Sequence, residues 1–510
     1  MDGTRARLVE THTAVVVFAG DRVYKWKKPV SLGFLDFSTR SAREAACHHE
    51  VELNRRLAPD VYLGVADVLG DDGAPCEHMV VMRRLPDESR LATLVRTPRD
   101  MRSEMRAIAR TLAAFHARAA RSAEVDAAAT PDAVLALWEE SVEQMRRFTG
   151  HLLDRAMFEH VATQARRWVL GRATLFAERI AAGHACDGHG DLLADDVFCL
   201  PDGPRILDCL EFEPRFRHGD VLADLAFLCM DLERLRRPDL AALLVDAYEE
   251  FSGAAQPRPL LDHYVAYRAL VRCKVACLRH EQGDADAAAE ARALLVLAFR
   301  HVERARVRLT LVGGLPGTGK STLAAGLRDA IGGTVLRSDV VRLDLGGAHD
   351  APTTEATYAE MLRRAGLLLE RGESVVLDAT WRDRRHRHAA RRLAARTLSD
   401  VCELECEAPQ EVAATRIEAR LDRGDDVSPA TPAVAAQLAA GFDPWPTAAA
   451  VDTTRDVPLT LARALRAVAR GGHDGWDFRH HGMRPSPLSP RTRRGPASAA
   501  GPHASRGIPR

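Results

Sequence analysis

Residues 314–321, with the sequence GLPGTGKS, combine glycines, a lysine and a hydroxyl residue in an order that can bind a phosphate chain. The pattern is the Walker A motif, G-x-x-x-x-G-K-[ST], and it lies between the apolar segment RLTLVG and the segment STLAAGLRDAI. The motif needs a strand before it and a helix after it, because the loop and the helix N-terminus together surround an anion with N–H groups. The sequence therefore predicts a binding site for ATP.

Each type of residue in this loop has a chemical role. The glycines let backbone N–H groups close around the anion, Lys320 would reach the β- and γ-phosphates, and the Ser321 hydroxyl would bind Mg²⁺. A glycine-rich turn without a ligand is the alternative. The residues predicted to bind the nucleotide are Gly314, Gly317, Thr318, Gly319, Lys320, Ser321 and Thr322.

Two further predicted strands end in an aspartate. Asp339 closes the segment VLRSD, and Asp378 closes the segment VVLD. In an open parallel sheet the carboxyl ends of the strands share the edge where the phosphate loop lies. Asp378 is therefore predicted to bind Mg²⁺, and Asp339 to receive the proton of an acceptor hydroxyl. A helix N-cap is the alternative for either residue.

Three arginines lie in the segment TRIEARLDRGDD, which is predicted to be helical. Arg416 and Arg420 share one helix face, and Arg423 follows them. A lid that donates guanidinium groups to the transferring phosphoryl group has this pattern, and Arg420 is predicted to be catalytic together with Lys320. A solvated charged helix with ion pairs between residues four apart is the alternative.

The downstream motifs GLPGTGKST, SD followed by Arg342, and VVLDAT resemble those of the small P-loop kinases related to gluconate, polynucleotide and zeta-toxin-type kinases. The resemblance implies a doubly wound α/β fold and ATP-dependent transfer of a phosphoryl group to a hydroxyl group. The motif spacing identifies no sugar or nucleic-acid pocket.

A second pattern lies upstream in CDGHGDLLADDVF, residues 186–198, and in the later segment RILDCLEF. Together with VYKWKKPVSLGFLDFST, HEVELNRRLAPDVYLGV and DVLADLAFLCMDLE, it resembles the aminoglycoside-phosphotransferase-like kinases, whose catalytic loop reads HGDLHxxN. The whole chain resembles bacterial proteins that join such a domain to a P-loop kinase domain and that are often described as AAA-family ATPases.

The upstream resemblance implies a role for several residues. Asp191 would orient or deprotonate the acceptor hydroxyl, Asp208 would hold Mg²⁺, and Lys25 would contact the α- and β-phosphates. Glu50 is the implied ion-pair partner of Lys25. Lys27 shares the strand face of Lys25, because side chains alternate along a strand, so the assignment between the two lysines stays open.

The upstream loop departs from the family pattern at two positions. Asp196 stands where the family has asparagine, and Leu193 where it has histidine. A carboxylate can still bind Mg²⁺, so Asp196 is a predicted metal ligand, but several carboxylates would concentrate negative charge where ATP must bind. A working kinase site, a nucleotide-binding regulatory site and an inert scaffold all remain open for this half.

Three more acidic residues lie near the same motifs, and a loop histidine precedes Asp191. We expect Glu211, Asp220 and Asp224 to anchor the catalytic loop through hydrogen bonds. For His189 alone, a hydrogen bond to the backbone is the alternative to a chemical role.

The order of predicted elements defines the fold class. A β lobe and then a helical lobe, with a short hairpin around Gly203, predict an α+β kinase-like domain over residues 1–303. Strands and helices then alternate over 304–470, which predicts an α/β doubly wound parallel sheet. Residues 471–510 are rich in Pro, Ser and Arg and are predicted to be disordered.

The bulk composition limits the partners. The 510 residues predict two to four domains, and the 71 basic and 71 acidic residues balance, so no overall field favours nucleic acid or a membrane. No apolar stretch approaches the roughly 20 residues that span a bilayer, and the dispersed cysteines lack metal-site spacing. A cytoplasmic protein with reduced thiols is expected, and its oligomeric state stays open.

Three function classes remain. The first is an ATP-binding, Mg²⁺-dependent phosphotransferase that acts on an unidentified small-molecule hydroxyl substrate. The second is an ATP-hydrolysing regulatory or binding protein whose upstream domain is a ligand sensor or pseudokinase. Aminoglycoside resistance is a third and weaker option, because fold analogy does not fix function.

Overall fold

The computed structural model describes residues 6–11, 13–31, 36–347, 350–423, 428 and 430–470. The predicted tail 471–510 lies outside the described residues. The chain divides into two compact units, which are described separately below. The first comprises residues 1–307 with 366–373 and 394–399, and the second comprises the remainder.

The first unit begins with a five-stranded antiparallel sheet in the order β1-β2-β3-β5-β4. Strands β2 and β3 form a hairpin because Gly20, with φ +59°, supplies the left-handed conformation of its two-residue turn. Helix α1 is capped by the Thr39 side chain and packs on the sheet through a shared apolar core that includes Val51, Val80 and Met82. The elements are β1 Arg7–Glu10, β2 Ala14–Ala19, β3 Arg22–Lys27, α1 Arg40–Asn54, β4 Tyr62–Leu69 and β5 Pro75–Arg83.

A helical region follows, and two short antiparallel strand pairs, β6 with β9 and β7 with β8, carry the catalytic-loop motif. The helices are α2 Leu91–Leu94, α3 Arg102–Arg118, α4 Ala123–Ala128, α5 Pro131–Met145, α6 Arg155–Leu170, α7 Ala173–Ala181, α8 Val221–Arg234, α9 Pro238–Ser252, α10 Arg258–Glu281 and α11 Ala287–Ala305. The strands are β6 Ala185–Asp187, β7 Val197–Leu200, β8 Gly203–Ile206 and β9 His218–Asp220.

The second unit contains a five-stranded sheet in the order β11-β12-β10-β13-β14, in which every pairing is parallel. Helices α12 and α18 bury apolar side chains, among them Leu323, Leu327 and Val468, against Val312 and Leu404 of the sheet. The strands are β10 Arg308–Gly313, β11 Thr334–Arg337, β12 Val375–Asp378, β13 Asp400–Glu407 and β14 Ala449–Asp452. The helices are α12 Lys320–Ile331, α13 Ser338–Asp344, α14 Ala351–Glu370, α15 Arg384–Arg396, α16 Gln410–Arg423, α17 Pro432–Ala439 and α18 Val457–Arg470.

The predicted fold class is confirmed: a kinase-like β lobe and helical lobe precede a parallel α/β sheet. Strands β1, β4, β6, β9 and β14 were not predicted, because their sequences RLVE, YLGVADVL, ACD, HGD and AAVD are short or carry weak alternation. All ten cysteines are free. Within the described residues, no helix is both long and apolar enough to cross a membrane.

Candidate active sites

The phosphate loop connects β10 to α12 and has the backbone conformation that its glycines permit. Gly314, Gly317 and Gly319 have φ values of +127°, +79° and +81°. A Cβ atom on Gly314 would lie 2.5 Å from the Cys406 carbonyl oxygen, and one on Gly317 would lie 2.3 Å from the Ala413 carbonyl oxygen. Conformation and close packing therefore both require glycine at positions 314 and 317.

Lys320 begins α12 and points back over the loop. Its Nζ donates a hydrogen bond to the Leu315 carbonyl oxygen at 2.8 Å, which also accepts one from the Thr318 hydroxyl at 2.8 Å. Burial lowers the pKa of Lys320, and the carboxylate of Asp378 opposes this shift. The ammonium group thus lies inside the loop, where a phosphate chain would replace the carbonyl as its partner.

Asp378 lies beside this loop because β12 pairs directly with β10, with Asp378 opposite Val312. Its side chain is buried and accepts a hydrogen bond from Ser321, and the Arg337 guanidinium lies 3.4 Å away. Burial raises the pKa of Asp378, while Lys320 acts in the opposite direction.

A serine hydroxyl and a carboxylate at the mouth of a phosphate loop fit Mg²⁺, which typically takes one or two protein ligands in addition to nucleotide oxygens and water. Among the described residues, no group of three or more His, Cys, Asp or Glu side chains could hold a metal. The predicted ligands Ser321 and Asp378 are thus adjacent, and they suit a metal that arrives with the nucleotide.

Asp339 lies in the first turn of α13, directly after β11. Its Oδ1 accepts a hydrogen bond from Arg342 at 3.0 Å, and about a quarter of its side chain is exposed, with a relative accessibility of 27%. The predicted proton acceptor is therefore ionically paired and still reachable from the adjoining cavity.

The predicted lid arginines lie on α16 and contact backbone groups near the loop. Arg416 donates to the Thr453 carbonyl at 2.8 Å and to the Gly317 carbonyl at 3.5 Å, and Arg420 donates to the Ala430 carbonyl at 2.7 Å. The contact of Arg416 with Gly317 reaches the phosphate loop, which favours the lid over the solvated helix for this arginine. The catalytic role of Arg420 stays a prediction.

One cavity of about 1540 Å³ joins these groups within the second unit. Helix α12, the ends of β11 and β12, and α16 all contribute to its wall. The predicted residues that line it are Gly317, Gly319, Lys320, Ser321, Thr322, Asp339, Asp378, Arg416, Arg420 and Arg423. Gly314 and Thr318 shape the loop beneath it.

The first unit holds a compact ion cluster at the position predicted for the upstream nucleotide. Lys25 Nζ lies 2.9 Å from Glu50 Oε1 and 2.7 Å from Asp208 Oδ1. Lys27 Nζ lies 2.6 Å from the other oxygen of Glu50 and also pairs with Glu211. The predicted Lys25–Glu50 pair is thus formed, and both lysines share the same buried glutamate.

Burial and neighbouring charges act against each other in this cluster. Burial disfavours the charged forms, but Asp208 and Glu50 raise the pKa of Lys25 well above its usual range. Lys25 and Lys27 lower the pKa of Glu50 despite its burial. The Lys25 ammonium likewise lowers the pKa of Asp208. Lys25 on one side and Glu50 and Asp208 on the other therefore stabilise each other's charged forms.

The chain holds Asp208 in an unusual conformation for a residue other than glycine, with φ +63°. Its N–H donates to the Tyr62 hydroxyl at 3.2 Å, and the next N–H, of Cys209, donates to the Asn54 Oδ1 at 2.9 Å. These bonds direct the Asp208 carboxylate toward Lys25.

Asp191 and Asp196 have environments unlike that of Asp208. Desolvation raises the pKa of Asp191 to about 6, although the positive charges of Arg272 and Arg268 oppose the shift. Desolvation, Asp208 and Asp191 raise the pKa of Asp196 well above its usual range. A carboxyl group whose pKa is raised takes up a proton more readily, and its protonated form is chemically closer to the asparagine of the family pattern than a carboxylate would be.

Asp224 of α8 anchors the catalytic loop. It accepts hydrogen bonds from the His189 N–H at 2.6 Å and from the Gly190 N–H at 2.9 Å, and it lies 3.3 Å from His116. His189 is fully buried, and its Nε2 lies 3.0 Å from the Leu207 carbonyl oxygen. The expected anchoring role is confirmed for Asp224, and the backbone-bonded alternative is correct for His189.

The other two acidic residues differ from that expectation. Asp220 begins α8 as its N-cap and forms a buried ion pair with Arg179, and Glu211 pairs with Lys27. Both bind side chains outside the loop, because burial of Arg179 and Lys27 requires a nearby counter-ion. The expectation that they hydrogen-bond the loop was therefore wrong.

Tyr358, Arg382 and His386 are among the residues of the downstream cavity that sequence reasoning missed. Tyr358 and His386 stack with ring centroids 3.9 Å apart, although 28 positions separate them along the chain. Their helices meet only in the folded chain, so no local pattern indicated the pair.

Fold and sites together define a chain with two phosphotransferase-type domains. The model of the phosphotransferase enzyme family matches residues 30–260, and the model of the AAA domain, AAA_33, matches residues 309–445. The uncharacterized protein Rv2004c of Mycobacterium tuberculosis is 44% identical over 458 residues, which cover 87% of this chain and 91% of that protein. The uncharacterized protein Mb2027c of Mycobacterium bovis matches with the same figures. This chain belongs to the same family as these mycobacterial proteins.

Solved structures match each half separately. The GDP and kanamycin complex of APH(2")-IIIa is 15% identical with a TM-score of 0.38, and the match covers 58% of this chain and 93% of that one. A gluconokinase of Sinorhizobium meliloti is 18% identical with a TM-score of 0.26, covering 32% and 92%. The APS kinase CysC of Mycobacterium tuberculosis is 19% identical with a TM-score of 0.27, covering 32% and 98%.

Proposed function

We propose that the second unit transfers the γ-phosphoryl group of ATP to a hydroxyl group of a small molecule. The observation that carries this proposal is that Asp339 lines the same cavity as Lys320 and Asp378. A phosphate-binding loop alone would serve hydrolysis equally well. A reachable carboxylate opposite the loop adds a group that can accept the proton of an alcohol.

The proposed reaction uses the residues as follows. The acceptor oxygen attacks the γ-phosphorus, the bond to the β–γ bridging oxygen breaks and ADP leaves, and the acceptor proton passes to Asp339. Lys320 and the loop N–H groups hold the β- and γ-phosphates. Arg416 and Arg420 lie close enough to the loop to stabilise negative charge on the transferring group.

Mg²⁺ is proposed as the cofactor, held by Ser321 and, directly or through water, by Asp378. Bound there it would neutralise charge on the β- and γ-phosphates. The buried Asp378 orients the Ser321 hydroxyl through the hydrogen bond between them. That preorganisation makes the serine oxygen available to the metal.

A phosphotransfer screen with γ-labelled ATP tests the downstream proposal. The full chain is incubated with pools of hydroxyl compounds, and Lys320→Ala is compared with Arg328→Ala. Arg328 lies on the same helix, and its side chain pairs with Asp329 at the surface. At least one labelled organic product should be lost in Lys320→Ala and persist in Arg328→Ala. Release of label only as free phosphate across the panel would contradict the proposal.

We further propose that the first unit is a second ATP-dependent phosphotransferase site, with Asp191 as its base and Lys25 on the phosphates. The formed Lys25–Glu50 pair supports it, because this pair is needed to position the phosphates in kinase-like sites. Asp208 and Asp196 are the proposed metal ligands there.

The two sites can be separated in the full chain. Product that survives Lys320→Ala and disappears in the double variant with Asp191→Asn would come from the first unit. If no acceptor is labelled in Lys320→Ala and that variant also fails to bind a non-hydrolysable ATP analogue, the upstream proposal is wrong.

A further inference from the structure

The cavity of the second unit is larger than a nucleotide site needs. Ligand pockets commonly measure about 300–1,000 Å³, and this one measures about 1540 Å³. Strand order divides it: Thr453 and Arg455, which follow β14, contribute to the wall on one side of the phosphate loop, and the ends of β11 and β12 contribute to the wall on the other. Asp339 lies on the β11–β12 side, so the proposed acceptor occupies that side.

The turn after β12 has an unusual backbone. Trp381 has φ +56°, a conformation that bulky residues rarely adopt, and its side chain is fully buried. Its N–H donates to the hydroxyl of Tyr358 on α14 at 3.1 Å, and its Nε1–H donates to the Leu377 carbonyl at 3.3 Å. Such conformations persist only where surrounding contacts impose them, and they are frequent at ligand sites.

The residue that follows this turn is Arg382, which is exposed and lines the cavity. Nearby arginines of the same wall already have acidic partners: Arg342 pairs with Asp339 at 3.0 Å, and Arg385 pairs with Asp383 at 2.6 Å. Within the described part of the chain, the Arg382 guanidinium has no such ion pair. It is thus an available cation on the acceptor side of the cavity.

We infer that Arg382 binds an anionic oxygen group of the acceptor, so that the phosphorylated hydroxyl belongs to a small molecule that also carries a phosphate or a carboxylate. The inference rests on the proposed function of the second unit and specifies its substrate class. A guanidinium group presents a planar set of donors that matches either anion. Arg382 is a specificity-determining residue in this role, and Trp381 positions it.

A binding experiment tests the inference without knowledge of the natural acceptor. The full chain is first saturated with a non-hydrolysable ATP analogue and Mg²⁺, and it is then titrated calorimetrically with inorganic phosphate, malonate or glycerol. The loaded wild type should bind phosphate or malonate and not glycerol. Arg382→Ala should weaken that binding at least fivefold, Arg382→Lys should weaken it less, and Arg385→Ala should change it less than twofold.

The affinity for the ATP analogue should stay within twofold of wild type in all three variants, which also shows that the site remains folded. Equal anion binding by wild type and Arg382→Ala, or no anion binding by the loaded wild type, would overturn the inference and leave the proposed function intact. Failure of the wild type to bind the analogue would overturn both.

An activity measurement adds a second readout. Labelled ATP is supplied with a panel of acceptors in which each neutral polyol is paired with its phosphate and carboxylate counterparts. Comparing the rates of labelling of the two counterparts shows which of the two anions the site prefers. For the acceptor that is labelled, Arg382→Ala should raise KM at least tenfold and change kcat less than threefold, because the lost contact is remote from the reacting atoms. A neutral polyol that wild type and Arg382→Ala phosphorylate equally well would count against the assignment.

Discussion

Gly317 of the phosphate loop offers a sharp test of whether the loop geometry controls nucleotide binding. Replacement by alanine changes two things at once. The residue must keep φ +79°, and its new Cβ would lie 2.3 Å from the Ala413 carbonyl oxygen and 3.0 Å from an Ile417 side-chain carbon. Both neighbours belong to α16, the helix that carries the lid arginines.

The size of the effect follows from these two distances. A left-handed alanine costs about 1–2 kcal/mol in conformational strain. In addition, α16 must retreat by roughly 1 Å to restore van der Waals contact with the new methyl group. A misplacement of ~1 Å in a positioning group can cost about 100-fold. We therefore expect Gly317→Ala to bind the ATP analogue about 10- to 100-fold more weakly, or about 1.4–2.8 kcal/mol.

Gly253→Ala is the matched control. Gly253 ends α9 with φ +72°, and a Cβ there would meet no heavy atom within 4 Å. It therefore carries the strain without the collision, and it should lower the free energy of unfolding by about 1 kcal/mol while leaving analogue affinity unchanged. Calorimetric titration and chemical denaturation measure the two quantities. Analogue affinity of Gly317→Ala within twofold of wild type would refute the argument that loop shape sets affinity.

Three further predictions concern the first unit. Lys27→Met should lower the free energy of unfolding, measured by chemical denaturation, by about 3 kcal/mol, because it leaves Glu211 without its buried partner. Lys25→Met should lower the free energy of unfolding by less and should instead weaken nucleotide binding. In a Lys320→Ala background, phosphotransfer should fall about tenfold per pH unit below pH 6, because the pKa of Asp191 is raised to about 6 and the base must be ionised; a rate flat from pH 7 to 5 would contradict this. Burial alone would lower the pKa of His301, but its hydrogen bonds to carboxylates raise that pKa. The stabilising effect of His301 is therefore complete below its unfolded pKa of about 6.5 and is lost as pH rises through its folded pKa. The difference in free energy of unfolding between wild type and His301→Leu should shrink between pH 6 and 9.

The fold was predictable wherever one local pattern determined the structure. The phosphate loop needed only its glycines and the adjoining apolar strand, and Asp378 followed because parallel strands end at one edge. The lysine assignment could not be completed from the sequence. Side-chain alternation placed Lys25 and Lys27 on one strand face, but only the folded chain shows that Glu50 lies between them.

The residues that the sequence did not reveal depend on contacts between distant segments. Arg382 lies in an arginine-rich stretch, so its type gave no distinction from Arg384 or Arg385. What distinguishes it is the turn at Trp381, and that turn is held by Tyr358 from another helix. A local pattern cannot report a conformation that is imposed from outside the segment.

The two sites also handle charge differently, and this difference bears on how each would receive ATP. In the second unit, Lys320 lines an open cavity and its hydrogen bond goes to the uncharged Leu315 carbonyl, so a phosphate chain replaces a neutral partner. In the first unit, Lys25 is already bound to Asp208 and Glu50, and a nucleotide must replace at least one of these contacts. Lys27 allows that exchange, because Glu50 keeps one buried partner when Lys25 turns to the phosphates. A second lysine on the same strand face therefore has a physical reason to be there.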